Sequence, residues 1–366
     1  MYQRKDKTWQ DQLPIPGTKK YKYFYGKTKA EVKAKMAAWQ AEQDNTLTMS
    51  LAIEPWLESK EKTVKYKTLE GYKAPIARIK ETFGDIRIEE ITPAQIQAFI
   101  NDLAAKGYKR TTVQRPLDVM RMVFDYHITR PGSAIKYNPC AGVRLPSGLK
   151  QEARELASRE DIELVRKGLS LPFGLYAYLL MYTGLRDNEA LALCDTDFDF
   201  KNDIIHIRKN VSWQPNKPVI STPKTVNGIR TIPLLSQLKG ALPKWKGYLF
   251  SANGGVTPLT QTEFRKRWNG YCRKAGLADS HVEEHIGKNK HKYKKTVWEN
   301  RIVPYQLRHE FATICFDAGL DPKAVADIMG HADEEMARRI YTHIKNTRRQ
   351  KDSKKLQDFV NSQSFL

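Results

Sequence analysis

The sequence predicts a multidomain protein: a small α+β unit at the N-terminus, then an all-α domain, then a mixed α/β, mainly helical domain. Its 366 residues are enough for two or three domains that each bury a core. Aromatic strand patterns come first, amphipathic helix patterns follow, and short strands then alternate with helices. We place these regions at residues 1–46, 47–145 and 152–345, followed by a tail at 346–366 that suits a short amphipathic helix.

Residues 1–46 combine strand and helix signals with many lysines. The segments around Trp9 and at Tyr21–Tyr25 carry the aromatic residues typical of strands. Thr28 and Glu31 form the capping box that opens a helix. A solvated basic face would also be rich in lysine, but aromatic residues displayed on strands among these lysines favour contact with DNA.

Residues 47–145 show helical periodicity. One helix opens at Thr92-Pro93-Ala94-Gln95, which supplies an N-cap, a proline in the first turn and the reciprocal capping residue. A second pattern covers Thr111 to Ile128, and its methionines and aromatic residues suit a core better than a ligand site. Proline and glycine then interrupt the pattern, so the stretch up to Lys150 is expected to be an interdomain linker.

From about residue 152 helices alternate with strands. Ser158 caps one helix and Thr260 caps another. The uncharged stretch from Gly168 to Leu185 predicts a buried helix. Short strands are predicted at Ile204–Ile207, Val219–Ile220 and Ile229–Ile232.

The charge of the chain favours a polyanionic partner. Lysine and arginine number 62 against 41 aspartates and glutamates, which gives a net charge of +21. A membrane surface is the competing partner, but the basic residues are spread over every region rather than concentrated on one amphipathic helix. The N-terminus has no apolar signal segment, and the four cysteines form no CxxC pair. We therefore expect a reduced, intracellular protein without a zinc site.

Four residues predict the chemistry. Arg308 lies in Tyr305-Gln306-Leu307-Arg308-His309, His331 follows it by 23 residues, and Tyr341 follows His331 by 10. A second arginine, Arg186, comes after a long apolar run and a glycine. One guanidinium group can hold two phosphate oxygens, so two of them can clamp one phosphate. This set predicts a site built around a phosphodiester.

The order and spacing of these residues resemble those of the tyrosine recombinases, the family of phage and conjugative-transposon integrases. The motifs cover roughly residues 152 to 345, whereas residues 1–150 match in pattern only. The resemblance implies an arm-type DNA-binding domain at 1–46, a SAM-like core-binding domain at 47–145 and the catalytic domain at 152–345. It also implies that the tail at 346–366 packs on a neighbouring subunit.

The resemblance implies a role for each matching residue. Arg186 and Arg308 would hold the scissile phosphate, His331 would donate a hydrogen bond to it, and Lys224 would be the general acid for the leaving 5′-oxygen. Tyr341 would attack phosphorus and form a 3′-phosphotyrosine. The covalent link conserves the energy of the broken bond, so no ATP, metal or other cofactor is expected.

This sequence departs from the family at one position. Tyr305 stands three residues before Arg308, where the family usually has histidine. A phenol can donate a hydrogen bond to phosphate but is a poor proton acceptor near neutral pH. His309 is adjacent in sequence but lies on another side of the helix, so we do not expect it to replace the missing histidine.

Plainer structural roles compete with these assignments. Glu189 is close enough in sequence to pair with Arg186, as a support for the fold or for the orientation of the arginine. Lys209 and Lys217 are nearby alternatives to Lys224. His331 would otherwise be a simple helix cap, and Tyr341 a packed core residue.

The implied activity is site-specific DNA recombination that integrates or excises a mobile element. Expected partners are double-stranded DNA with core and arm sites, further copies of the chain in a synaptic tetramer, a directionality factor and a host DNA-bending protein. The reaction would take place in the bacterial cytoplasm, at the nucleoid. The alternatives are a type IB topoisomerase-like relaxing enzyme and a DNA-binding protein with a decayed active site.

A lysine-rich segment from Lys288 to Lys295 indicates an inserted basic loop or hairpin. It would contact DNA or a neighbouring subunit, or be a solvated loop. His281 and His285 nearby have the spacing of one helical face, but no carboxylate or cysteine at convincing metal-ligand spacing completes a site. No metal is therefore assigned.

Overall fold

The computed structural model describes residues 1–4, 6–15, 20–44, 47–130, 135–150, 156–223, 226–286, 292–330, 338 and 342. The chain divides into two compact units, Met1–Ala153 and Arg154–Leu366, with separate hydrophobic cores. Within the described ranges, each helix is too short or too polar to cross a lipid bilayer.

A three-stranded antiparallel sheet and a helix begin the first unit. The strands are β1 (Tyr2–Gln3), β2 (Trp9–Pro14) and β3 (Tyr21–Gly26), in that spatial order, and α1 (Lys29–Asp44) follows. The Glu31 amide donates to Thr28 Oγ1 at 3.1 Å, which confirms the predicted start of the helix. Phe24 of β3 is buried and meets Trp39 of α1 edge-on. The three tyrosines at alternate positions of β3 are exposed.

Four helices form the core of the rest of this unit. They are α2 (Met49–Glu61), α3 (Tyr66–Phe83), α4 (Pro93–Ala105) and α5 (Arg110–Ile128). The predicted capping box of α4 is present, since the Gln95 amide donates to Thr92 Oγ1 at 3.3 Å and the Thr92 amide donates to Gln95 Oε1 at 2.8 Å. The predicted all-α character of this region is confirmed.

The segment after α5 packs on the helices, unlike a free linker. Ile135, Cys140 and Val143 are buried in the same core as α2 to α5. Asn138 Nδ2 donates to the Arg121 carbonyl of α5 at 3.0 Å. The linker prediction is therefore wrong for this segment, because Pro139 and Gly142 lie in turns that return the chain to the core.

The second unit mixes short sheets with helices. In chain order its elements are α6 (Arg159–Lys167), α7 (Gly174–Thr183), α8 (Asp187–Ala190), β4 (Phe198–Asp199), β5 (Ile204–Ile207), β6 (Asn210–Gln214), β7 (Lys217–Ser221), β8 (Arg230–Pro233), α9 (Ser236–Ala241), α10 (Gln261–Lys274), β9 (Ala278–Ile286), β10 (Lys292–Asn300), α11 (Pro304–Asp317) and α12 (Pro322–Met329). Strands β4, β5 and β8 form one antiparallel sheet, and β6–β7 and β9–β10 are hairpins.

Helix α7 is the centre of the main core of this unit. Leu179 and Leu180 are fully buried, and the core also includes Ile205 of β5, Ile232 of β8 and Trp268 of α10. The helix fills only the second part of the predicted uncharged stretch, because the preceding residue, Phe173, has a φ of 70°. A smaller core joins α11 to α12.

The lysine-rich segment was predicted to be a loop or a hairpin. It belongs to a long hairpin formed by β9 and β10. Val282, Ile286 and Trp298 of this hairpin are exposed large apolar residues, and their alternation places them on one face. Lys288 and Lys290 lie outside the described residues.

The histidines of the hairpin do not share a helix face as their spacing suggested, since both are on β9. His281 and His285 contact the carboxylate of Glu283 between them, at 3.0 and 3.1 Å. In the described part of the chain, no three histidine, cysteine or acidic side chains are arranged to hold a metal ion.

We predict that Gly184→Ala destabilises the protein by about 2–4 kcal/mol, because it combines left-handed strain with overpacking. Gly184 has a φ of +62°, and a Cβ there would lie 2.3 Å from Phe311 Cδ1. Urea unfolding measures the change. The matched control is Gly270→Ala in α10, where a Cβ meets no atom within 4 Å and the variant should be at least as stable as wild type. Equal midpoints for wild type and Gly184→Ala would contradict the close contact with Phe311.

Candidate active site

Arg186 lies at the start of α8, just after the end of α7. Its Nη1 donates to Glu189 Oε1 at 2.6 Å, and its Nη2 donates to the Gly330 carbonyl at 2.7 Å. The side chain is 36% exposed, so the guanidinium group remains reachable from solvent. The predicted pairing with Glu189 is thus present, in a geometry that leaves Arg186 open to a ligand.

Arg308 lies on α11 and is 1% exposed. Its Nη1 donates to the Gly184 carbonyl at 2.5 Å, and its Nη2 donates to the Met329 carbonyl at 2.7 Å. Its Nε is buried and has no hydrogen-bond partner among the described residues. Such a buried donor costs free energy unless a ligand satisfies it.

A third arginine, Arg230, joins the site without having been predicted. It is the first residue of β8, and its Nη2 donates to Glu189 Oε2 at 3.0 Å. Its Nε donates to the Ile328 carbonyl at 2.7 Å. The period of two along β8 places it on the same inward face as the buried Ile232, and this charged residue at an inward strand position is the signal that could have identified it.

We call Arg186, Arg230, Arg308 and Glu189 the arginine cluster, and the carbonyl groups of residues 328–330 the carbonyl row. Each arginine of the cluster donates to a different member of the row. The row is the C-terminal end of α12, where Gly330 has a φ of 66°. Carbonyl groups at a helix end lack partners within the helix and carry partial negative charge, so cations are favourable neighbours.

The electrostatics of the cluster favour an anion. Burial alone would raise the pKa of Glu189, but the neighbouring Arg230 and Arg186 outweigh it and hold the pKa below its ordinary value. Burial lowers the pKa of Arg308, and repulsion from Arg186 and Arg230 lowers it further. Glu189 opposes this repulsion by raising the pKa, and an arginine stays protonated in proteins. Three arginines and one carboxylate leave two positive charges in excess.

Among the other predicted residues, Tyr305 is on the first turn of α11, half-buried, with its ring 4.7 Å from that of His309. Lys224, His331 and Tyr341 lie outside the described residues. Their places in the sequence adjoin the site, however. Lys224 belongs to the connection between β7 and β8, which leads into Arg230, and His331 directly follows the carbonyl row.

The alternative lysines differ from each other. Lys209 donates to Cys194 Sγ at 3.4 Å and pairs with Asp197 at 2.8 Å. Asp197 is buried and also contacts Arg208, so the ammonium group of Lys209 is held in a separate structural network. Lys217 is exposed at the start of β7. Lys209 is thereby the weaker rival of Lys224.

Comparison with known proteins gives the family. Residues 166–348 match the profile of the Phage integrase family, and residues 48–104 match the profile described as Phage integrase, N-terminal SAM-like domain. The first match covers half of the chain. This chain belongs to the phage integrase family. The predicted resemblance and the predicted enzyme class, a tyrosine site-specific recombinase, are confirmed.

Curated relatives and solved structures agree with this assignment. The Tyrosine recombinase XerC-like protein of Caldanaerobacter subterraneus subsp. tengcongensis is 27% identical over 356 residues, which cover 88% of each chain. The ICEBs1 integrase of Bacillus subtilis is 24% identical over 302 residues, covering 77% of this chain and 75% of its own.

Two solved integrases share the fold. The Tn1549 transposon integrase, in complex with transposon right end DNA, has a TM-score of 0.62 and 20% identity, and the match covers 79% of this chain and 94% of that one. The lambda integrase tetramer bound to a Holliday junction has a TM-score of 0.56 and 16% identity, covering 93% of each chain. The prediction of a helical SAM-like domain followed by a catalytic domain is therefore confirmed at the level of fold.

We predict that Glu189→Gln lowers the free energy of unfolding by about 3 kcal/mol at pH 7, because it leaves the buried Arg230 and the partly exposed Arg186 without their carboxylate. The folded pKa of Glu189 is depressed. Its contribution is therefore complete above the ordinary carboxyl pKa of about 4.3, and it is lost as the pH falls through the lower folded value. The gap between the two proteins should close at acidic pH.

Urea unfolding of both proteins between pH 7 and pH 3 measures this gap. Glu163→Gln is the control, since Glu163 pairs with Arg166 on the surface and its removal should change little at any pH. A gap that stays constant down to the acid end would show that the charge of Glu189 is not what stabilises the site.

Proposed function

We propose that this recombinase cleaves and rejoins DNA strands at the arginine cluster, through a 3′-phosphotyrosine formed by Tyr341. The observation that carries the proposal is the excess of two positive charges in the cluster, gathered from α8, β8 and α11 around one carboxylate. A phosphodiester supplies the missing negative charge, and its oxygens accept the bidentate hydrogen bonds that guanidinium groups donate.

Arg186 and Arg308 are proposed to hold the scissile phosphate. Among the described contacts, each terminal nitrogen of Arg308 uses one of its two hydrogens, and its Nε–H is unused. Arg186 likewise spends one hydrogen of each terminal nitrogen. Donors already fixed in place can stabilise the charge that develops on phosphorus without reorganising during the reaction.

The proposed reaction keeps its bonds in balance. The Tyr341 hydroxyl group releases its proton to solvent water as its oxygen bonds to phosphorus. The bond from phosphorus to the 5′-oxygen breaks, and Lys224 gives its own proton to that oxygen. His331 and Tyr305 donate hydrogen bonds to the phosphate. In rejoining, a 5′-hydroxyl group attacks the phosphotyrosine and Tyr341 leaves. Each step breaks one phosphoester bond and forms another, so cleavage and rejoining require neither ATP nor a metal.

We assign residues 152–345 to catalysis, 47–145 to binding of the core site and 1–46 to binding of an arm site. The exposed tyrosines of β3 support the last assignment, since they lie on the sheet face opposite the buried Phe24. Cations lie against aromatic rings of the same unit: Arg4 is 5.3 Å from the ring centroid of Tyr25, and Lys29 is 4.4 Å from that of Trp9. Aromatic and basic groups close together in one unit suit contact with a nucleic acid.

We further propose that the chain integrates and excises a mobile element as a tetramer on two DNA sites, in the bacterial cytoplasm at the nucleoid. The similarity to the ICEBs1 integrase and to the lambda integrase tetramer supports this assignment. The tail at 346–366 would pack on a neighbouring subunit. A directionality factor would select excision, and a host DNA-bending protein would bring core and arm sites together.

We predict that a nicked suicide duplex carrying the element's core site traps a covalent protein–DNA adduct, because the nick lets the short 5′-ended fragment leave before rejoining. The adduct should map to Tyr341, form in EDTA and be absent in Tyr341→Phe. Tyr293→Phe is the control, since Tyr293 is an exposed tyrosine of the hairpin. A denaturing gel and peptide mapping give the result.

Bound core DNA without an adduct would favour the decayed-site alternative and overturn the proposal. Efficient relaxation of supercoiled plasmids without a core site would instead favour the topoisomerase-like alternative. Recombination of two core-containing duplexes, dependent on Tyr341, supports integration and excision over both.

We predict that Lys224→Met slows cleavage of ordinary DNA by about 100-fold or more, the usual size of a general-acid contribution. The same variant should cleave a substrate with sulfur in place of the 5′-bridging oxygen at nearly the wild-type rate. A thiolate leaves without protonation, because its conjugate acid has a pKa of about 8.5. Lys217→Met is the control, and its rate on ordinary DNA should equal that of wild type. If Lys217→Met were the slow variant on ordinary DNA, and the 5′-sulfur substrate restored its rate, Lys217 would be the general acid instead of Lys224.

A further inference from the structure

All three nitrogens of Arg230 donate to protein acceptors, whereas Nε of Arg308 has no partner among the described residues. Arg230 Nε donates to the Ile328 carbonyl at 2.7 Å, Nη1 to the Gly228 carbonyl at 3.2 Å and Nη2 to Glu189 Oε2 at 3.0 Å. Its side chain is 7% exposed, against 36% for Arg186. An arriving phosphate therefore meets Arg186, while Arg230 stays engaged behind it.

The contacts of Arg230 join three segments that are far apart in the sequence: the turn before β8, the start of α8 and the end of α12. Gly330 brings the backbone of the last segment into direct contact with the arginine. A Cβ on Gly330 would lie 2.9 Å from Arg230 Nη1 and 2.7 Å from the Asn227 carbonyl oxygen. The end of α12 thus packs directly against Arg230 and against the turn that precedes β8.

Arg230 also determines how Glu189 is oriented. Glu189 Oε1 accepts from Arg186 Nη1, and Oε2 accepts from the Arg186 amide at 3.1 Å and from Arg230 Nη2 at 3.0 Å. Two of these donors belong to Arg186 itself, so Arg230 is the partner that ties the carboxylate to a different segment, β8. Arg230 therefore fixes the plane of Glu189, and with it the direction of Arg186, relative to β8.

We propose that Arg230 is a positioning residue for strand cleavage. It holds Glu189 so that Arg186 faces the phosphate, and it holds the carbonyl row so that the chain continues toward His331 and Tyr341 from a fixed point. The inference rests on the proposed function, which assigns those three residues to the phosphate. It adds a residue that acts on the reaction without touching DNA.

The substitution that tests this role is Arg230→Lys, which keeps the positive charge. An ammonium group is a single donor centre on a flexible stem, so it cannot reach the three acceptors of Arg230 together. Arg301→Lys is the matched control. Arg301 lies in the same unit and donates to Asp161, Asp279 and the Gly276 carbonyl, all outside the cluster.

Three readouts separate positioning from binding. In single-turnover cleavage of the suicide duplex, Arg230→Lys should lower the maximal rate on the order of 100-fold, the cost of misplacing reacting groups by about 1 Å. The DNA concentration at half-maximal rate and the salt dependence of DNA binding should match wild type, because no phosphate contact is lost. Amide hydrogen exchange in α12 without DNA should be faster by about tenfold, since the last turn loses its anchor. Arg301→Lys should match wild type in all three.

Two results would overturn the inference while the wild-type enzyme is active. A maximal rate for Arg230→Lys within about threefold of wild type would mean that charge alone suffices, contrary to the geometric demand of a guanidinium group. A raised half-saturating DNA concentration with a smaller salt slope would make Arg230 a phosphate ligand.

If wild-type protein forms no adduct, the proposed function fails, and hydrogen exchange then decides the inference separately. Faster exchange in α12 of Arg230→Lys would support the anchoring of the carbonyl row by Arg230. Unchanged hydrogen exchange in α12 would show that Arg230 does not anchor the carbonyl row.

Discussion

The gathering of three guanidinium groups around one carboxylate is the constraint on which the second unit depends. Removing charged groups from water costs several kcal/mol per ion unless partners replace the lost hydration. Glu189 balances one of the three charges, and the carbonyl row adds partial negative charge from the end of α12. Two positive charges remain in excess, and Arg308, whose pKa is lowered by burial and by its arginine neighbours, is the most enclosed of the three. An anion that binds here therefore stabilises the folded state by mass action.

The backbone makes this arrangement possible at two glycines. Gly184 ends α7 with a φ of 62°, and Gly330 ends α12 with a φ of 66°. Carbonyl groups at both helix ends are therefore free to accept hydrogen bonds from side chains. Arg308 donates to one at each end, the Gly184 carbonyl after α7 and the Met329 carbonyl of α12. Since these acceptors are neutral, they hold the guanidinium groups in place with less attraction than a charged phosphate exerts. The resting site is thus ordered and still has affinity for an anion.

The local signals in the sequence predicted the capped starts of α1, α4, α6 and α10, because capping depends on residues three apart. Thr92 and Thr260 both open helices with reciprocal capping contacts. Arg186 and Arg308 were identified from their motifs, and the structure brings them to one carbonyl row. Arg230 was missed because its partners are distant: Glu189 is 41 residues away and Ile328 is 98. Only the inward position on β8 indicated it, and that position became clear once the register of β5 and β8 was known.

The packed segment after α5 also shows that local sequence signals do not reveal contacts with distant parts of the chain. Its turn residues predicted a linker, and turns are present, but burial of Ile135 and Val143 depends on a surface formed by helices elsewhere in the chain. Sequence patterns report the conformation that a segment prefers. They do not report which distant surface receives it.

In the proposed reaction, phosphate binding and the placement of Tyr341 depend on the same two arginines. Arg186 and Arg308 are proposed to hold the phosphate, and both also hold the carbonyl row. The chain reaches His331 and Tyr341 only after it has passed that row. A phosphate that turned either guanidinium group away from its carbonyl would loosen the point from which the nucleophile departs, and a displaced α12 would misalign the phosphate clamp. Arg230, each of whose three nitrogens donates to a protein acceptor, provides a contact that is independent of the phosphate. The geometry of attack can then persist while the unused hydrogens of Arg186 and Arg308 bind the phosphate.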